Sequence, residues 1–321
     1  MRWNGPACRQ AGLPTGRTGA SRDLPSPRFF PPFFVYSCSE VRSSPMPLDL
    51  LVDIGVVALP VLYGVVVAAY AAFFFGLHPA APRLASRLLV ATVVVHAVYL
   101  LARTAAFDHP PVTTVYEIMT MLAFCIAAAY TYLEFRTGSR NTGFFILVLA
   151  LVFQTVSSLF IRDLLDIPAI LRSRLLGFHV TAALLGYTGI SLSAAYGFLY
   201  LMLYHEIKSS RFGLIYSRLP NLEMLEKMSH KAEVFGFILL TVAIAVGIVW
   251  LPRAFPDFSY LDPKLVGSLV IWILYAVGLA AKKVYGWQGR KMMILSLVAF
   301  GFVFLSMTLI NMVMSGFHTF R

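Results

Sequence analysis

Histidines are the side chains in this 321-residue sequence that are best suited to chemistry, and seven are present. Two of them, His179 and His318, each lie close to the end of a long apolar segment and are far apart in the sequence. Two neutral imidazoles that face each other can ligate one haem iron from both sides. The same placement fits two unrelated histidines that hydrogen-bond to nearby loops, so the residues alone leave both interpretations open.

A third histidine, His96, lies near the middle of another apolar segment. An ionisable side chain at mid-bilayer depth is rare and is by default a functional candidate. It could ligate a haem in transit, or it could stay neutral and hydrogen-bond to a neighbouring helix. Gln154 and Asn311 are also polar residues within apolar segments, and for both we expect interhelical hydrogen bonds.

The elements that carry these residues are predicted to be transmembrane helices. Hydrophobic residues make up 59% of the chain and charged residues only 13%, which is about half the charged fraction of an average soluble protein. Apolar runs of about 20 residues are long enough to span a bilayer as helices. The sequence therefore predicts an all-α, polytopic integral membrane helical bundle with about eight transmembrane helices, at roughly 50–76, 86–106, 115–135, 143–161, 175–205, 232–251, 264–281 and 291–316.

The loops between these segments predict the orientation of the bundle. Most basic residues of the core fall in alternate loops, whereas the other loops carry fewer bases and more acids; the basic set is 77–85, 136–142, 206–231 and 282–290. Basic loops stay in the cytoplasm. We therefore expect a multi-pass protein of the bacterial inner (cytoplasmic) membrane, with an extracytoplasmic C-terminus and with His179 and His318 at the same outer face.

The net charge of +11 does not indicate a nucleic-acid-binding protein. Most of this charge lies in the short loops, and no basic face with interleaved aromatic residues is visible. No nucleophile–base pair or phosphate-binding loop is visible either, so enzymatic activity is not expected.

Residues 1–45 differ from the rest, with six arginines, no lysine, seven prolines and no apolar stretch of spanning length. They could be a disordered basic tail, a targeting peptide or an extension from a misassigned translation start. We favour the last interpretation, with the true start at Met46, and expect 46–321 to form a single transmembrane domain.

The linker at 207–231 has apolar residues at helical spacing, namely Leu219, Leu222, Leu225 and Met228. This pattern predicts a short amphipathic helix on the inner membrane surface. Its apolar face would either pack as a connector or dock a partner.

A series of short motifs follows in order along the last two-thirds of the chain. They are Asp108-His109-Pro110-Pro111-Val112 with Tyr116-Glu117, His179-Val180-Thr181 with Gly186-Tyr187, Leu219-Pro220-Asn221-Leu222-Glu223, Gly247 with Trp250, Asp262-Pro263-Lys264, Trp272, Tyr275 and Gly316-Phe317-His318. In these motifs the chain resembles the cytochrome c assembly family (CcsA-like and HemX-like proteins), over about residues 108–321. The resemblance implies a haem-handling membrane protein with His179 and His318 as axial ligands of a b-type, non-covalently bound haem, held stably or transiently.

The resemblance also has two departures, which favour the HemX-like branch. In CcsA-like proteins the outer loop before the Asp-Pro-Lys motif is rich in tryptophan, but here only Phe255, Phe258 and Tyr260 remain to stack on a porphyrin, with Asp262 at the haem edge. Ala280 stands where CcsA-like proteins carry a further histidine.

The partners implied by the resemblance are haem, a ResB/CcsB-like membrane protein, apocytochrome c or a haem-biosynthesis enzyme. Two other functions remain open. One is a HemX-like membrane regulator or scaffold of haem biosynthesis with little or no bound haem, which would bind a partner through 207–231. The other is a transporter or quinone-linked membrane subunit, although no clear internal repeat of the kind common in transporters is visible.

Overall fold

The computed structural model describes residues 46–76, 81–107, 109–161, 174–210, 212–254, 259, 261 and 263–305. Every regular element in these ranges is a helix. In chain order they are α1 (Met46–Phe74), α2 (Ala81–Phe107), α3 (Val115–Thr137), α4 (Gly143–Phe160), α5 (Arg174–Lys208), α6 (Leu214–Arg218), α7 (Leu222–Ala254), α8 (Pro263–Tyr285) and α9 (Arg290–Leu305). Residues 1–45 lie outside this description, so their interpretation and the single-domain prediction for 46–321 stay predictions.

Seven of these helices, all except α6 and α9, are long and apolar enough to cross a membrane. The described part of α9 has 16 residues, and the remainder of the eighth predicted span lies outside the described residues. The prediction of an all-α, multi-pass membrane bundle is therefore confirmed.

Helices α1 to α4 pack together, and a tight local motif fixes the start of α3. The Thr114 side chain accepts a hydrogen bond from the backbone N–H of Glu117, whose carboxylate accepts the backbone N–H of Thr114 in return. This capping box satisfies backbone donors that a helix start leaves without partners. It also holds the Glu117 carboxylate at the point where α3 meets the end of α2.

Helices α5 and α7 run antiparallel and cross at glycines. A Cβ atom added at Gly189 would lie 2.8 Å from the Cα atom of Gly236, and one added at Gly236 would lie 2.8 Å from the backbone nitrogen of Ile190. No side chain fits between backbones this close, which is the way small residues bring transmembrane helices together. The crossing sets the register of the two helices and thereby places His179 on α5 opposite Ala243 on α7.

Helix α9 lies against the same pair and is also antiparallel to α5. The Ser193 hydroxyl on α5 is 3.0 Å from the hydroxyl of Ser229 on α7 and 3.0 Å from that of Ser296 on α9. These buried hydrogen bonds connect three helices inside the bundle. They direct the last described turn of α9, at Leu305, toward the side of the bundle where α5 begins and α7 ends. We call this side the His179 end.

The linker at 207–231 differs from its prediction as a separate surface helix. Only the short α6 stands alone, and the residues from Leu222 onward are the first turns of α7. Leu225 is fully buried and Leu219 nearly so, both within the main apolar core. The prediction was wrong because the apolar face packs on the bundle, as in the connector alternative. A charged residue of the same stretch also contacts the bundle, since Glu226 pairs with Lys282 on α8 at 3.5 Å.

Candidate functional site

His179 lies in the second turn of α5 and is bound to α7 through one ring nitrogen. Its Nδ1 is 2.7 Å from the backbone carbonyl oxygen of Ala243. A carbonyl oxygen only accepts hydrogen bonds, so Nδ1 must carry the proton. In the neutral ring the lone pair that could bind a metal is therefore on Nε2.

Gly247, one turn beyond Ala243 on α7, makes room for the His179 ring. A Cβ atom at this glycine would lie 3.0 Å from the ring carbon Cε1 and 3.2 Å from Nδ1. The ring therefore rests directly against the backbone of α7. Packing and the hydrogen bond together fix both the position and the tautomer of the imidazole.

This arrangement suits a metal-ligating histidine, because such residues usually donate their second ring N–H to a carboxylate, backbone carbonyl or water. The surroundings are apolar: Leu175 and Phe178 on α5 and Ile248 on α7 expose large hydrophobic side chains near the same end of the bundle. Such a border accommodates an apolar macrocycle better than a hydrated ion. Within the described ranges no three His, Cys, Asp or Glu residues gather as a site for a bare metal ion.

The other residues predicted for this site lie outside the described residues, so their roles stay predictions. They are His318, Phe255, Phe258, Tyr260 and Asp262. Three described helix termini adjoin these residues in the sequence: the end of α7, the start of α8 and the last described turn of α9. All three lie at the His179 end of the bundle.

His96 is fully buried and uses both ring nitrogens for hydrogen bonds between helices. Its Nδ1 is 3.0 Å from the Tyr63 hydroxyl of α1, and its Nε2 is 3.2 Å from the Thr120 hydroxyl of α3. The Thr120 hydroxyl donates its proton to Gln154 Oε1 at 2.6 Å. The Thr120 oxygen therefore accepts a hydrogen bond from His96 Nε2, and the Tyr63 hydroxyl donates to His96 Nδ1. Gln154 thus makes the expected interhelical bond. His96 could ligate a metal only by giving up one of its two partners, and its ligand role stays a prediction.

The Tyr116-Glu117 motif belongs to an ion pair that sequence reasoning did not find. Nε and Nη2 of Arg103, near the end of α2, lie 3.2 Å and 3.0 Å from Glu117 Oε1. Both side chains are only 1% exposed. The other carboxylate oxygen accepts the backbone N–H groups of Thr113 and Thr114. The motif therefore anchors the start of α3 to α2, which is a structural role.

Two features of the His179 site were not foreseen as parts of it. Ala243 contributes only its backbone carbonyl, which leaves no mark in the residue type. Gly247 belonged to the motif series, but its closeness to the histidine depends on the α5–α7 crossing, which the sequence does not reveal.

Comparisons with known proteins place these features in a family. Residues 112–318 match the profile of the family described as "Cytochrome C assembly protein". The chain is similar to three proteins named "Cytochrome c biogenesis protein CcsA". That of Guillardia theta is 26% identical over 230 residues, covering 65% of this chain and 76% of the relative. That of Gloeobacter violaceus is 26% identical over 275 residues, covering 69% and 81%, and that of Pyropia yezoensis 25% over 278 residues, covering 74% and 87%.

The preference for the HemX-like branch has no support in these comparisons. It rested on the loop without tryptophan and on Ala280, but the relatives matched here carry the name CcsA. These two departures are thus differences from the CcsA-like pattern and do not identify another branch.

Proposed function

Because this chain belongs to the cytochrome c assembly protein family, we propose that it holds haem between His179 and His318 for delivery to apocytochrome c. The haem would be a non-covalently bound, b-type cargo at one end of the membrane bundle. The proposed role is to bind and present this cargo, and it requires no catalytic nucleophile.

The observation that carries the proposal is the hydrogen bond from His179 Nδ1 to the Ala243 carbonyl oxygen. It keeps the lone pair on Nε2 and holds the ring still before any ligand arrives. A ligand that is already oriented loses less conformational freedom on binding. The bond also raises the electron-donating strength of Nε2 toward a metal.

The register of α9 supports a second ligand from the C-terminal residues. Because α9 is antiparallel to α5 and Ser296 lies opposite Ser193, Leu305 is about level with Leu184. His179 is five residues further along α5, or about 7.5 Å at the helical rise. His318 follows Leu305 by thirteen residues, so the chain between them is long enough to reach that level.

Each part of the site would have its own task. The porphyrin iron would supply the Lewis acid that both imidazoles bind. His179 would supply one axial nitrogen, and α7 would keep its ring in place through Ala243 and Gly247. The aromatic residues Phe255, Phe258 and Tyr260 would cover the porphyrin face, as the sequence predicts.

The proposed site also has an expected side of the membrane and an expected partner. The alternate basic loops favour an orientation with this site on the extracytoplasmic face of a bacterial inner membrane. Haem would then meet apocytochrome c there, and a ResB/CcsB-like membrane protein is a suitable partner.

An absorption spectrum of the purified protein with added haem tests the proposal. The wild type should give a low-spin, six-coordinate haem with sharp reduced α and β bands. His179→Ala should lose or shift this spectrum, and imidazole should partly restore it by filling the vacant position.

His205→Ala is the matched control, because this histidine is exposed and lies at the opposite end of the same helix; its spectrum should equal that of the wild type. An unchanged spectrum in His179→Ala would refute the ligand assignment. A wild-type protein that binds no haem would instead favour the regulator or scaffold alternative.

A further inference from the structure

A cavity of about 250 Å³ lies at the end of the bundle opposite the His179 end, where α5 ends and α9 begins. Its lining combines basic and apolar side chains, from Leu201, Tyr204, His205, Lys208, Arg290 and Ile294. No role in haem binding or in the packing of the core accounts for it. We call it the α5–α9 groove.

Lys208 and Arg290 give the polar half of the groove two positive charges, and the His205 ring lies in the same lining. His205, Lys208 and Arg290 all expose their side chains there, and the Arg290 guanidinium lies over the Tyr204 ring at 5.8 Å from its centroid. The neighbouring acid, Glu206, does not line the groove, because its carboxylate is directed toward α6, where it accepts the backbone N–H of Tyr216. The charge is therefore available to an anion.

Nearby aromatic side chains indicate that this charge lies at the depth of the lipid headgroups. Tyr285 and Trp287, at the turn between α8 and α9, are both exposed, and Lys291 lies 5.8 Å from the Trp287 ring centroid. Tyrosine and tryptophan with flanking lysine or arginine mark the membrane–water interface. Arg290 is in the same turn, so the bases of the groove are level with the phosphate layer.

The apolar half of the groove continues toward the middle of the membrane. Below Arg290, α9 exposes Ile294, Val298 and Phe302 at intervals of four residues. On α5, Phe198 is exposed one turn below Leu201 and two turns below His205. The two helices pack against each other along this stretch, with Met293 beside Gly197. The result is a strip of exposed apolar side chains that starts at the basic residues of the groove.

We propose that the α5–α9 groove binds one anionic glycerophospholipid. Its phosphate would pair with His205, Lys208 and Arg290, and an acyl chain would lie along Ile294, Val298 and Phe302. Basic pockets between transmembrane helices are typical sites for acidic lipid headgroups. The adjoining apolar strip favours a lipid over free phosphate, because an acyl chain attached to the bound phosphate would lie along it.

Native mass spectrometry of the detergent-purified protein with phosphatidylglycerol or phosphatidylcholine tests this proposal. One phosphatidylglycerol should stay bound at a collision energy that removes phosphatidylcholine. Each base removed should weaken binding about five-fold, so the double variant Lys208→Ala/Arg290→Ala should bind more than ten-fold more weakly.

Lys283→Ala is the matched control, since this exposed lysine lies near the same membrane surface but outside the groove; it should bind like the wild type. Ile294→Asn should also weaken lipid binding while the bases remain. Equal retention of the two lipids, or equal loss in Lys283→Ala, would overturn the proposal. So would displacement of phosphatidylglycerol by millimolar glycerophosphate, since that result would identify a site for free phosphate esters.

Discussion

Gly247→Ala should weaken haem binding without changing any proposed ligand. The new methyl carbon would lie 3.0 Å from His179 Cε1 and 3.2 Å from Nδ1, closer than ordinary carbon contacts of about 3.5 Å. The ring must therefore move away from α7 by a few tenths of an ångström. This movement stretches the 2.7 Å hydrogen bond to the Ala243 carbonyl oxygen and turns Nε2 from its direction. Changes to the groups that hold a metal-ligating histidine in place typically lower the metal affinity by about 10- to 100-fold.

Haem titration followed by absorption measures this effect, with Gly177→Ala as the matched control. Gly177 lies two residues before His179 on the same half-exposed stretch of α5, and a Cβ atom there meets nothing within 4 Å. Both substitutions remove a glycine from a helix, which should stabilise the helix by about 0.5–1 kcal/mol. Thermal unfolding should therefore show no loss of stability in the control, whose haem affinity should equal that of the wild type.

Equal haem affinity in Gly247→Ala and Gly177→Ala would refute the argument. It would mean either that His179 does not bind the haem or that its ring can shift without cost.

Three further outcomes follow from other parts of the bundle. Tyr63→Phe removes the hydrogen bond to His96 and should lower the free energy of unfolding by about 1 kcal/mol. Tyr196→Phe should cause no such loss, because the Tyr196 hydroxyl makes no hydrogen bond of normal geometry. Equal melting temperatures of the two variants would contradict this expectation. Glu117→Gln removes the carboxylate charge from the buried Arg103–Glu117 pair and should lower the free energy of unfolding by about 1.5–3 kcal/mol, as expected for hydrogen bonds to a charged group, against no measurable change for the exposed Glu223→Gln. A reporter fused after Lys283 should be cytoplasmic, and an outer location would reverse the orientation.

The apolar pattern alone was enough to locate the membrane-spanning segments among the described residues. The segment predicted at 143–161 is observed as Gly143–Phe160, and that at 115–135 as Val115–Thr137. A bilayer leaves little choice here, because an apolar run of spanning length must satisfy its backbone hydrogen bonds internally and therefore becomes a helix. The sixth span was predicted to begin at 232, yet α7 begins at Leu222. Charged residues marked those first turns as loop, although a helix can extend beyond the bilayer with a mixed surface.

The contacts within the site could not be predicted in the same way. His179 was identified from its type and its place near a helix start, but its partner is a backbone carbonyl that any residue at position 243 would offer. The Arg103–Glu117 pair was hidden for another reason. A lone arginine near the end of an apolar segment looks like an interfacial charge, and only the meeting of α2 with α3 shows that both side chains are buried.

Electron paramagnetic resonance of ferric haem bound to the purified protein, with isotopically labelled histidine, tests the central claim most directly. Ligation by His179 and His318 predicts a low-spin signal coupled to two histidine nitrogens in the wild type. Only one coupling should remain in His179→Ala. A wild-type signal coupled to fewer than two histidine nitrogens, or two couplings that persist in His179→Ala, would contradict the account.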